Sequence, residues 1–202
     1  MNAPPPPMPP PLPRLLLLTD RAQLAKGRGL SATVVECAAA GLEAVLVREH
    51  DLEARAHAAL VETLLAVPGL TVLTSRRPHP AAHGHHLAAH QPAPSGGRFG
   101  RSCHDAGELA RAGAEGAAWA TLSPYAASAS KPGHGPPVDP ALARLPGAPP
   151  VWALGGIDAT NAADALRHGA AGVAVMGAVM RARDPAAQVA DLLAALDQEE
   201  ER

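Results

Sequence analysis

Short apolar runs recur along the chain, and most of them end in glycine or in small polar residues. The two clearest runs, residues 151–157 and 172–177, are each followed by a stretch with helical periodicity. A continuous apolar run of this length is typical of a strand that is buried on both faces, as parallel sheets require. The pattern therefore predicts buried strands that alternate with helices.

Eight strand candidates follow this pattern. Strands are predicted over residues 14–18, 44–48, 70–73, 85–87, 99–102, 117–122, 151–157 and 172–177, and helices over residues 31–40, 51–65, 105–114, 160–169 and 185–196. Eight repeats favour a closed (β/α)8 TIM barrel, and an open doubly wound sheet is the alternative. Residues 74–97 are rich in proline, alanine and histidine, so we expect shortened helices around strands three to five.

The two ends of the chain differ from its middle. Residues 1–13 are mostly proline and are predicted to form a disordered tail, residues 14–197 form the single predicted domain, and residues 198–202 form a charged tail. The proline-rich start has no basic region, and the apolar run Leu15–Leu18 is too short for a signal sequence or a membrane span. No membrane partner is expected.

Composition narrows the classes of function. The net charge of -2 over 202 residues offers no basic surface, so nucleic acid is not an expected partner. Aromatic residues make up 2% of the chain, which leaves little surface for stacking on bases and predicts a core of closely packed alanine-rich helices on a sheet. Two cysteines without CxxC spacing do not indicate disulfides, so a cytoplasmic location is expected. The oligomeric state stays open, and a homo-oligomer is one alternative.

Glycines lie at the ends of the last two apolar runs, at Gly155-Gly156 and at Met176-Gly177. In (β/α)8 barrels the loops after these strands commonly bind phosphate, because backbone N–H groups can approach an anion closely where side chains are small. The sequence therefore predicts a phosphate site at Gly155, Gly156, Met176 and Gly177. Close packing of strand against helix is the alternative reason for these glycines.

Further candidates follow other strands at the same end of the predicted barrel. Arg48, Glu49 and His50 come at the end of the second strand. Contact with the ligand is one role predicted for them, and for Arg48 and Glu49 a structural ion pair at the barrel mouth is the alternative. Cys103 and His104 come after the fifth strand. For Cys103 we favour a buried small residue over a thiolate nucleophile, and for His104 a hydrogen-bonded residue at the rim is the alternative to proton transfer.

Five histidines occur between residues 79 and 90, at positions 79, 83, 85, 86 and 90. Their spacing does not place them on one helix face, because prolines, alanines and a glycine interrupt it. We therefore interpret them as solvated loop residues rather than as a zinc site.

Together the motifs resemble the thiamine phosphate synthase/TenI superfamily of small (β/α)8 barrels, and the resemblance extends from Arg14 to about Leu196. The segments that carry it are residues 18–21 (LTDR), 47–49 (VRE), 100–104 (GRSCH), 123–124 (SP) with 128–131 (SASK), 154–157 (LGGI) and 172–176 (GVAVM). The resemblance implies ligands of the thiamine pathway. A synthase of this family joins a hydroxymethylpyrimidine diphosphate to a thiazole phosphate with magnesium, whereas the TenI branch isomerises a carboxythiazole phosphate without metal.

The resemblance also implies which parts of the synthase site are changed. Where the family has two metal-binding aspartates, this chain has Ser75 and Gln91, and its Arg48-Glu49-His50 lacks the glutamine and the lysine of the family's Gln-x-Arg-Glu-Lys stretch. Because Mg²⁺ prefers carboxylate and phosphate oxygens, two lost carboxylates predict a metal-independent site. Magnesium is the expected cofactor only if the synthase alternative holds.

Other family positions are kept. Ser128, Ser130 and Lys131 match the family's Thr-x-Thr/Ser-Lys clamp, in which Lys131 would close over an anion, and Ser102 matches the ligand-binding serine after strand five. The TenI histidine after strand six is replaced by Pro124, which cannot transfer a proton. His104 and His134 are the substitute acid/base candidates.

These observations lead to one main interpretation and two alternatives. The main interpretation is a TenI-like protein that binds a thiazole phosphate and tautomerises it without metal. The first alternative is a thiamine phosphate synthase, a transferase. The second is a non-catalytic regulator that binds a phosphate ligand and lacks the chemistry.

Overall fold

The computed structural model describes residues 12–127 and 136–198, and within them eight parallel strands form a closed barrel in sequence order. Each strand pairs with the next, and the last pairs with the first. The strands are β1 (Leu15–Leu18), β2 (Ala44–Val47), β3 (Thr71–Ser75), β4 (Gly84–Leu87), β5 (Phe99–Cys103), β6 (Trp119–Leu122), β7 (Val151–Leu154) and β8 (Gly172–Val175). The predicted (β/α)8 fold is confirmed.

Helices surround the barrel unevenly. They are α1 (Leu30–Ala39), α2 (Ala54–Leu65), α3 (Ala106–Ala114), α4 (Ala162–Arg167), α5 (Gly177–Met180) and α6 (Pro185–Asp197), with 3₁₀ turns at Arg21–Gln23 and Pro140–Arg144. No helix separates β3 from β4 or β4 from β5, as the composition of residues 74–97 predicted. The four-residue helix α5 was not predicted.

Two tryptophans fill the barrel interior. Trp119 and Trp152 are both nearly fully buried and pack with inward-facing aliphatic residues of β1, β2, β3 and β8. Glycines on neighbouring strands make room for their rings. A Cβ at Gly100 would lie 2.1 Å from the Trp119 ring, and one at Gly172 would lie 2.4 Å from the Trp152 ring. The chain has few aromatic residues, and two of them fill the centre of the barrel.

A second apolar layer lies between the strands and the helices. The outward-facing residues of β1, β2, β3, β7 and β8 pack against α1, α2, α4, α5 and α6, with Val34, Cys37, Val61, Leu64 and Leu192 fully buried. This layer covers the outside of the sheet, as expected for parallel strands that are apolar on both faces.

Next to β4, where helices are missing, a buried arginine binds the backbone of the loop that follows this strand. Arg101 has no solvent exposure, and its guanidinium donates to the carbonyl oxygens of Ala88, Ala89 and Gln91 in the loop after β4. It also forms an ion pair with Glu115, at 2.5 Å, just after α3. These contacts satisfy backbone groups that a helix would otherwise pair internally.

The structure corrects several predicted boundaries. Leu12 is 6% exposed and packs in the barrel interior, and Pro13 accepts a hydrogen bond from the Trp152 indole at 2.9 Å, so packed residues begin before Arg14. Helix α1 begins at Leu30 with Gly29 as its N-cap, not at Ser31. Helix α2 begins at Ala54 with Glu53 as its N-cap, and Asp51, which was predicted to open it, pairs with Arg21.

Across the described ranges, we find no helix with the length and apolar character needed to cross a membrane.

Candidate anion-binding active site

A cavity of about 450 Å³ opens at the carboxyl ends of β7 and β8. Six of the residues predicted for the site line it, namely Arg48, His104, Gly155, Gly156, Met176 and Gly177. The cavity therefore brings together, from four different strand ends, side chains and glycines that are up to 129 positions apart in the chain, Arg48 to Gly177. Carboxyl ends of parallel strands meet at one end of a barrel, which is why these positions converge.

The glycine pair after β7 serves two purposes. Gly155 and Gly156 have φ values of 94° and 69°, a region that side chains rarely adopt. A Cβ at Gly156 would lie 2.5 Å from the Ala127 carbonyl oxygen, so glycine also permits the loop after β6 to approach. The close packing that the sequence offered as the alternative is therefore present, and the same glycines still face the cavity.

Arg48 carries positive charge into the cavity from the end of β2. Its guanidinium lies 3.5 Å from the sulfur of Met176, and its backbone N–H donates to the Thr19 hydroxyl. Met176 follows β8, which is separated from β2 only by β1, and it thus contacts the arginine across that one strand. This contact holds the guanidinium near the glycine loops.

Glu49 does not pair with its neighbour Arg48. Its carboxylate is 3% exposed and accepts hydrogen bonds from the backbone N–H and the guanidinium of Arg21, at 3.1 and 2.8 Å. Arg21 also binds Asp51 through two hydrogen bonds of 2.7 Å. The ion pair considered for this position therefore exists with a different partner, and Glu49 does not line the cavity.

His50 lies in a cationic environment at the ends of β2 and β3. Its Nε2 is 3.1 Å from the Ser75 hydroxyl. Burial, followed by the charges of Arg76, Arg48 and Arg77, lowers its pKa to about 4. His50 is therefore neutral at physiological pH.

A buried histidine inside the barrel contacts the predicted ligand-binding serine. His86 is 3% exposed, its Nδ1 accepts a hydrogen bond from the Trp119 indole at 3.0 Å, and its Nε2 lies 3.1 Å from Ser102 Oγ and 3.2 Å from Thr121 Oγ1. An indole N–H can only donate, so Nδ1 carries no hydrogen and Nε2–H is the donor. Ser102 can therefore accept from His86, which leaves its own hydroxyl hydrogen for another acceptor.

His86 was interpreted from the sequence as a solvated loop residue, and that interpretation is wrong. It faces the barrel interior from β4, where burial lowers its pKa to about 3. His83 and His85 are also engaged individually, since His83 Nδ1 accepts from the Val72 backbone and His85 Nδ1 lies 3.3 Å from Thr74 Oγ1. Sequence spacing alone could not separate these roles.

His104 lines the cavity and is oriented by a carboxylate. Its Nδ1 lies 2.9 Å from Glu108 Oε2, and the same oxygen accepts from the His104 backbone N–H. A carboxylate can only accept, so the neutral imidazole carries its hydrogen on Nδ1 and presents Nε2 as a base. This geometry is suited to proton transfer.

The thiol of Cys103, next to His104 in the sequence, is buried and protonated. Cys103 faces the apolar layer outside the barrel and has no solvent exposure. Burial raises its pKa to about 12, so the thiolate is not available at physiological pH.

The described residues at the positions of the family's metal carboxylates bind other groups of the protein. At the two positions where the family resemblance implies metal carboxylates, the Ser75 hydroxyl contacts His50 and the Gln91 amide oxygen accepts from the Ala88 backbone N–H at 2.7 Å. The carboxylate of Glu49 is occupied by Arg21. In the described part of the chain, no group of three or more His, Cys, Asp or Glu side chains is arranged to hold a metal ion.

Several predicted residues lie elsewhere. His50 and Ser102 are near the barrel mouth and outside the cavity lining. Ser128, Ser130, Lys131 and His134 lie outside the described residues, so their roles stay predictions.

The structure also adds lining residues that the sequence analysis missed. Arg181 and Gln188 reach the cavity from the α5–α6 region, and Asp158 reaches it from the loop after β7. Arg181 is the most informative, because it brings a second guanidinium to the glycine loops. Its position four residues after Gly177 was a signal in the sequence, since residues four apart on a helix lie on the same face.

Comparison with known proteins agrees with this architecture. The family described as thiamine monophosphate synthase matches residues 84–179. A putative thiamine-phosphate synthase of Geobacter sulfurreducens is 38% identical over 202 residues, covering 90% of this chain and 93% of the relative. The thiamine-phosphate synthase of Roseiflexus castenholzii is 33% identical, with 90% and 88% of the two chains covered.

A solved structure shares the fold. The thiamine phosphate pyrophosphorylase from Pyrococcus furiosus superposes with a TM-score of 0.80 at 21% identity and covers 92% of this chain and 96% of its own. The two sequence relatives align over 93% and 88% of their own length. The chain belongs to the thiamine phosphate synthase/TenI superfamily.

Proposed function

We propose that this chain is an enzyme of thiamine biosynthesis that acts as a thiamine-phosphate synthase. It would join hydroxymethylpyrimidine diphosphate to a thiazole phosphate, forming a bond from the pyrimidine methylene carbon to the thiazole nitrogen and releasing pyrophosphate. The observation that carries the proposal is the cavity at the ends of β7 and β8, lined by glycine loops and by Arg48 and Arg181. The full-length relatives named as synthases support the same activity.

The cavity suits the phosphate of the thiazole. Among its described lining residues are two guanidiniums and one carboxylate, and one oxygen of that carboxylate, in Asp158, accepts hydrogen bonds from Thr160. The local charge therefore favours an anion. Apolar residues at the barrel mouth, including Leu18 and Leu154, would contact the heterocycle.

The diphosphate of the other substrate would meet cations on the β2–β3 side. Arg48, Arg76 and Arg77 are close enough to His50 for their charges to lower its pKa. Guanidiniums bind phosphate oxygens through paired N–H donors and stabilise the charge that develops on a leaving pyrophosphate. The described side chains provide no carboxylate cluster for magnesium, so we assign no step to a metal held by the protein.

A second candidate function is the metal-independent tautomerisation of a carboxythiazole phosphate. Two observations favour it: neutral groups occupy the positions of the metal carboxylates, and His104 faces the cavity with Glu108 on its Nδ1. In this reaction His104 Nε2 would accept a carbon-bound proton of the substrate and return it at another ring position. The named relatives favour the synthase over this activity.

Two assays on one preparation distinguish the candidates. The first incubates hydroxymethylpyrimidine diphosphate with thiazole phosphate, with and without Mg²⁺, and follows thiamine phosphate and pyrophosphate. The second follows isomerisation of the carboxythiazole phosphate alone. We expect coupling in the first assay. In both assays a His104→Gln variant, with Arg183→Gln as the control, tests whether His104 is needed.

The outcomes separate the three interpretations. Coupling of the two substrates supports the synthase. Isomerisation that is lost in His104→Gln, without coupling, refutes the synthase and supports the tautomerase. Binding of the thiazole phosphate without turnover in either assay refutes both enzymes and leaves a phosphate-ligand-binding protein.

A further inference from the structure

We propose that Arg181, held in place by Gln23 and Asp20, is the side chain by which this cavity selects a phosphorylated ligand over its neutral alcohol. The inference rests on the proposed function insofar as the ligand is a thiazole phosphate. It concerns recognition of the phosphate group, which can be measured without any reaction.

Arg181 lies against the glycine that follows β8. A Cβ built on Gly177 would lie 2.3 Å from Arg181 Nη1 and 2.5 Å from its Cζ, so the guanidinium occupies space that only a glycine leaves open. Gly155, Gly156 and Met176 line the same cavity. The guanidinium is therefore placed directly beside the loops where a phosphate is expected.

A relay of hydrogen bonds from the turn after the neighbouring strand β1 fixes this position. Arg181 Nη1 donates to the Gln23 amide oxygen, and Gln23 Nε2 donates to Asp20 Oδ2 at 2.6 Å. A guanidinium cannot accept a hydrogen bond and a carboxylate cannot donate one, so the two neighbours admit only one orientation of the Gln23 amide. Asp20 is itself anchored, because its Oδ1 accepts from the Ala22 backbone N–H.

The contact with Gln23 does not itself neutralise the guanidinium, because the Gln23 amide is uncharged. Gln23 accepts from one of the five N–H donors that a guanidinium carries. A planar fork that is oriented in advance binds phosphate oxygens through paired hydrogen bonds at little entropic cost.

The preference for a phosphate then follows from charge. Hydrogen bonds to charged groups contribute more than those between neutral groups, so Arg181 should add strongly to phosphate binding and little to binding of the alcohol. Arg48 provides a second positive charge in the cavity, which is why loss of Arg181 alone should weaken binding without abolishing it.

Calorimetry with four variants tests the inference. The probes are the thiazole phosphate, its dephosphorylated alcohol and inorganic phosphate. Arg181→Gln should weaken binding of the thiazole phosphate by roughly 10- to 100-fold and leave affinity for the alcohol within about twofold. Arg183→Gln removes an exposed arginine that does not line the cavity and should change neither affinity by more than about twofold.

Two further variants move the guanidinium without removing it. Gly177 has an ordinary backbone angle, and the three atoms nearest to an added Cβ all belong to the flexible end of Arg181. Gly177→Ala should therefore keep the fold while phosphate affinity falls. Gln23→Glu would replace the neutral partner by a carboxylate, which pairs with Arg181 and should also lower phosphate affinity. Neither variant should alter binding of the alcohol by more than about twofold.

The inference fails if Arg181→Gln binds the thiazole phosphate within twofold of the parent chain, or if it loses the alcohol equally. It also fails if the parent chain binds neither the thiazole phosphate nor inorganic phosphate at millimolar concentrations. Selective loss of phosphate binding without any turnover in the parent chain would uphold the inference and refute the proposed synthase. Turnover by Arg181→Gln with an unchanged KM for the thiazole phosphate would uphold the synthase and refute the inference.

Discussion

The substitution Gly100→Ala tests whether the two tryptophans determine how the barrel is filled. Gly100 lies on β5 beside the ring of Trp119, and an added Cβ would lie 2.1–2.4 Å from three ring atoms. Ordinary carbon contacts are about 3.5–4.0 Å, so the ring must shift by more than about 1 Å or the strand must move. Either response disturbs the hydrogen bond from the Trp119 indole to His86.

Two effects contribute to the expected loss of stability. Overpacking a well-filled core costs about 1–3 kcal/mol. A buried indole N–H that loses its acceptor costs about 1–3 kcal/mol more. We therefore expect a loss of about 4 kcal/mol in the free energy of unfolding, which corresponds to a decrease in Tm of roughly 10 °C for a chain of this size.

Urea denaturation followed by tryptophan fluorescence suits this test, because both tryptophans of the chain lie inside the barrel. Gly96→Ala is the matched control, since a Cβ at Gly96 would meet nothing within 4 Å. The control should change stability by less than about 0.5 kcal/mol.

A second background makes the test specific to the ring. In Trp119→Phe the ring is smaller and has no indole N–H, so adding Gly100→Ala should cost less there than in the parent chain. An equal cost in both backgrounds, or a cost no greater than that of Gly96→Ala, would refute the reasoning.

Three other predictions concern buried charge, pH and thiol reactivity. Glu115→Gln removes the counter-charge of the fully buried Arg101 and should lower the free energy of unfolding by about 3 kcal/mol. The control Arg167→Gln removes an exposed ion pair and should lower it by less than about 1 kcal/mol. Equal losses in urea titrations would contradict the role of burial. Because His86 has a pKa of about 3 when folded and about 6.5 when unfolded, the unfolded chain binds more protons in this window, so stability should fall as pH decreases from 6.5. The loss attributable to this group by pH 4 is about 3 kcal/mol, and His86→Gln should flatten the profile; an unchanged profile would show that His86 is not its cause. Cys103, buried and with a pKa of about 12, should resist alkylation by iodoacetamide at pH 7.5 and react only in denaturant, as mass spectrometry would detect; labelling of the native chain would contradict its buried position.

The barrel was predictable from the sequence because its signal is local. Apolar runs of four to five residues that end in glycine or a polar residue mark most of the strands, and strands that are apolar on both faces are typical of a parallel sheet. The signal is weaker at β4 (GHHL) and β5 (FGRSC). The predicted strand ends place Arg48, His104, Gly155 and Gly177 just after strands. Their convergence at one end follows from the topology alone.

The partners of the site residues were not predictable in this way. Glu49 adjoins Arg48 in the sequence but pairs with Arg21, and Gln23 contacts Arg181, which is 158 positions away. His86 lies among four other histidines, and only the inward direction of β4 buries it against Trp119. Sequence spacing gives no information about which of two adjacent side chains faces inward when both neighbours are polar.

The sequence by itself thus determined the element order, the barrel and the strand ends at which chemistry occurs, since these depend on the local alternation of apolar and polar residues. Tertiary structure decided which rings fill the interior, which carboxylates are already paired, and which guanidinium reaches the glycine loops. These are contacts between side chains on distant strands, and their geometry depends on barrel closure and on the direction of each side chain, neither of which is encoded in the spacing of any one segment.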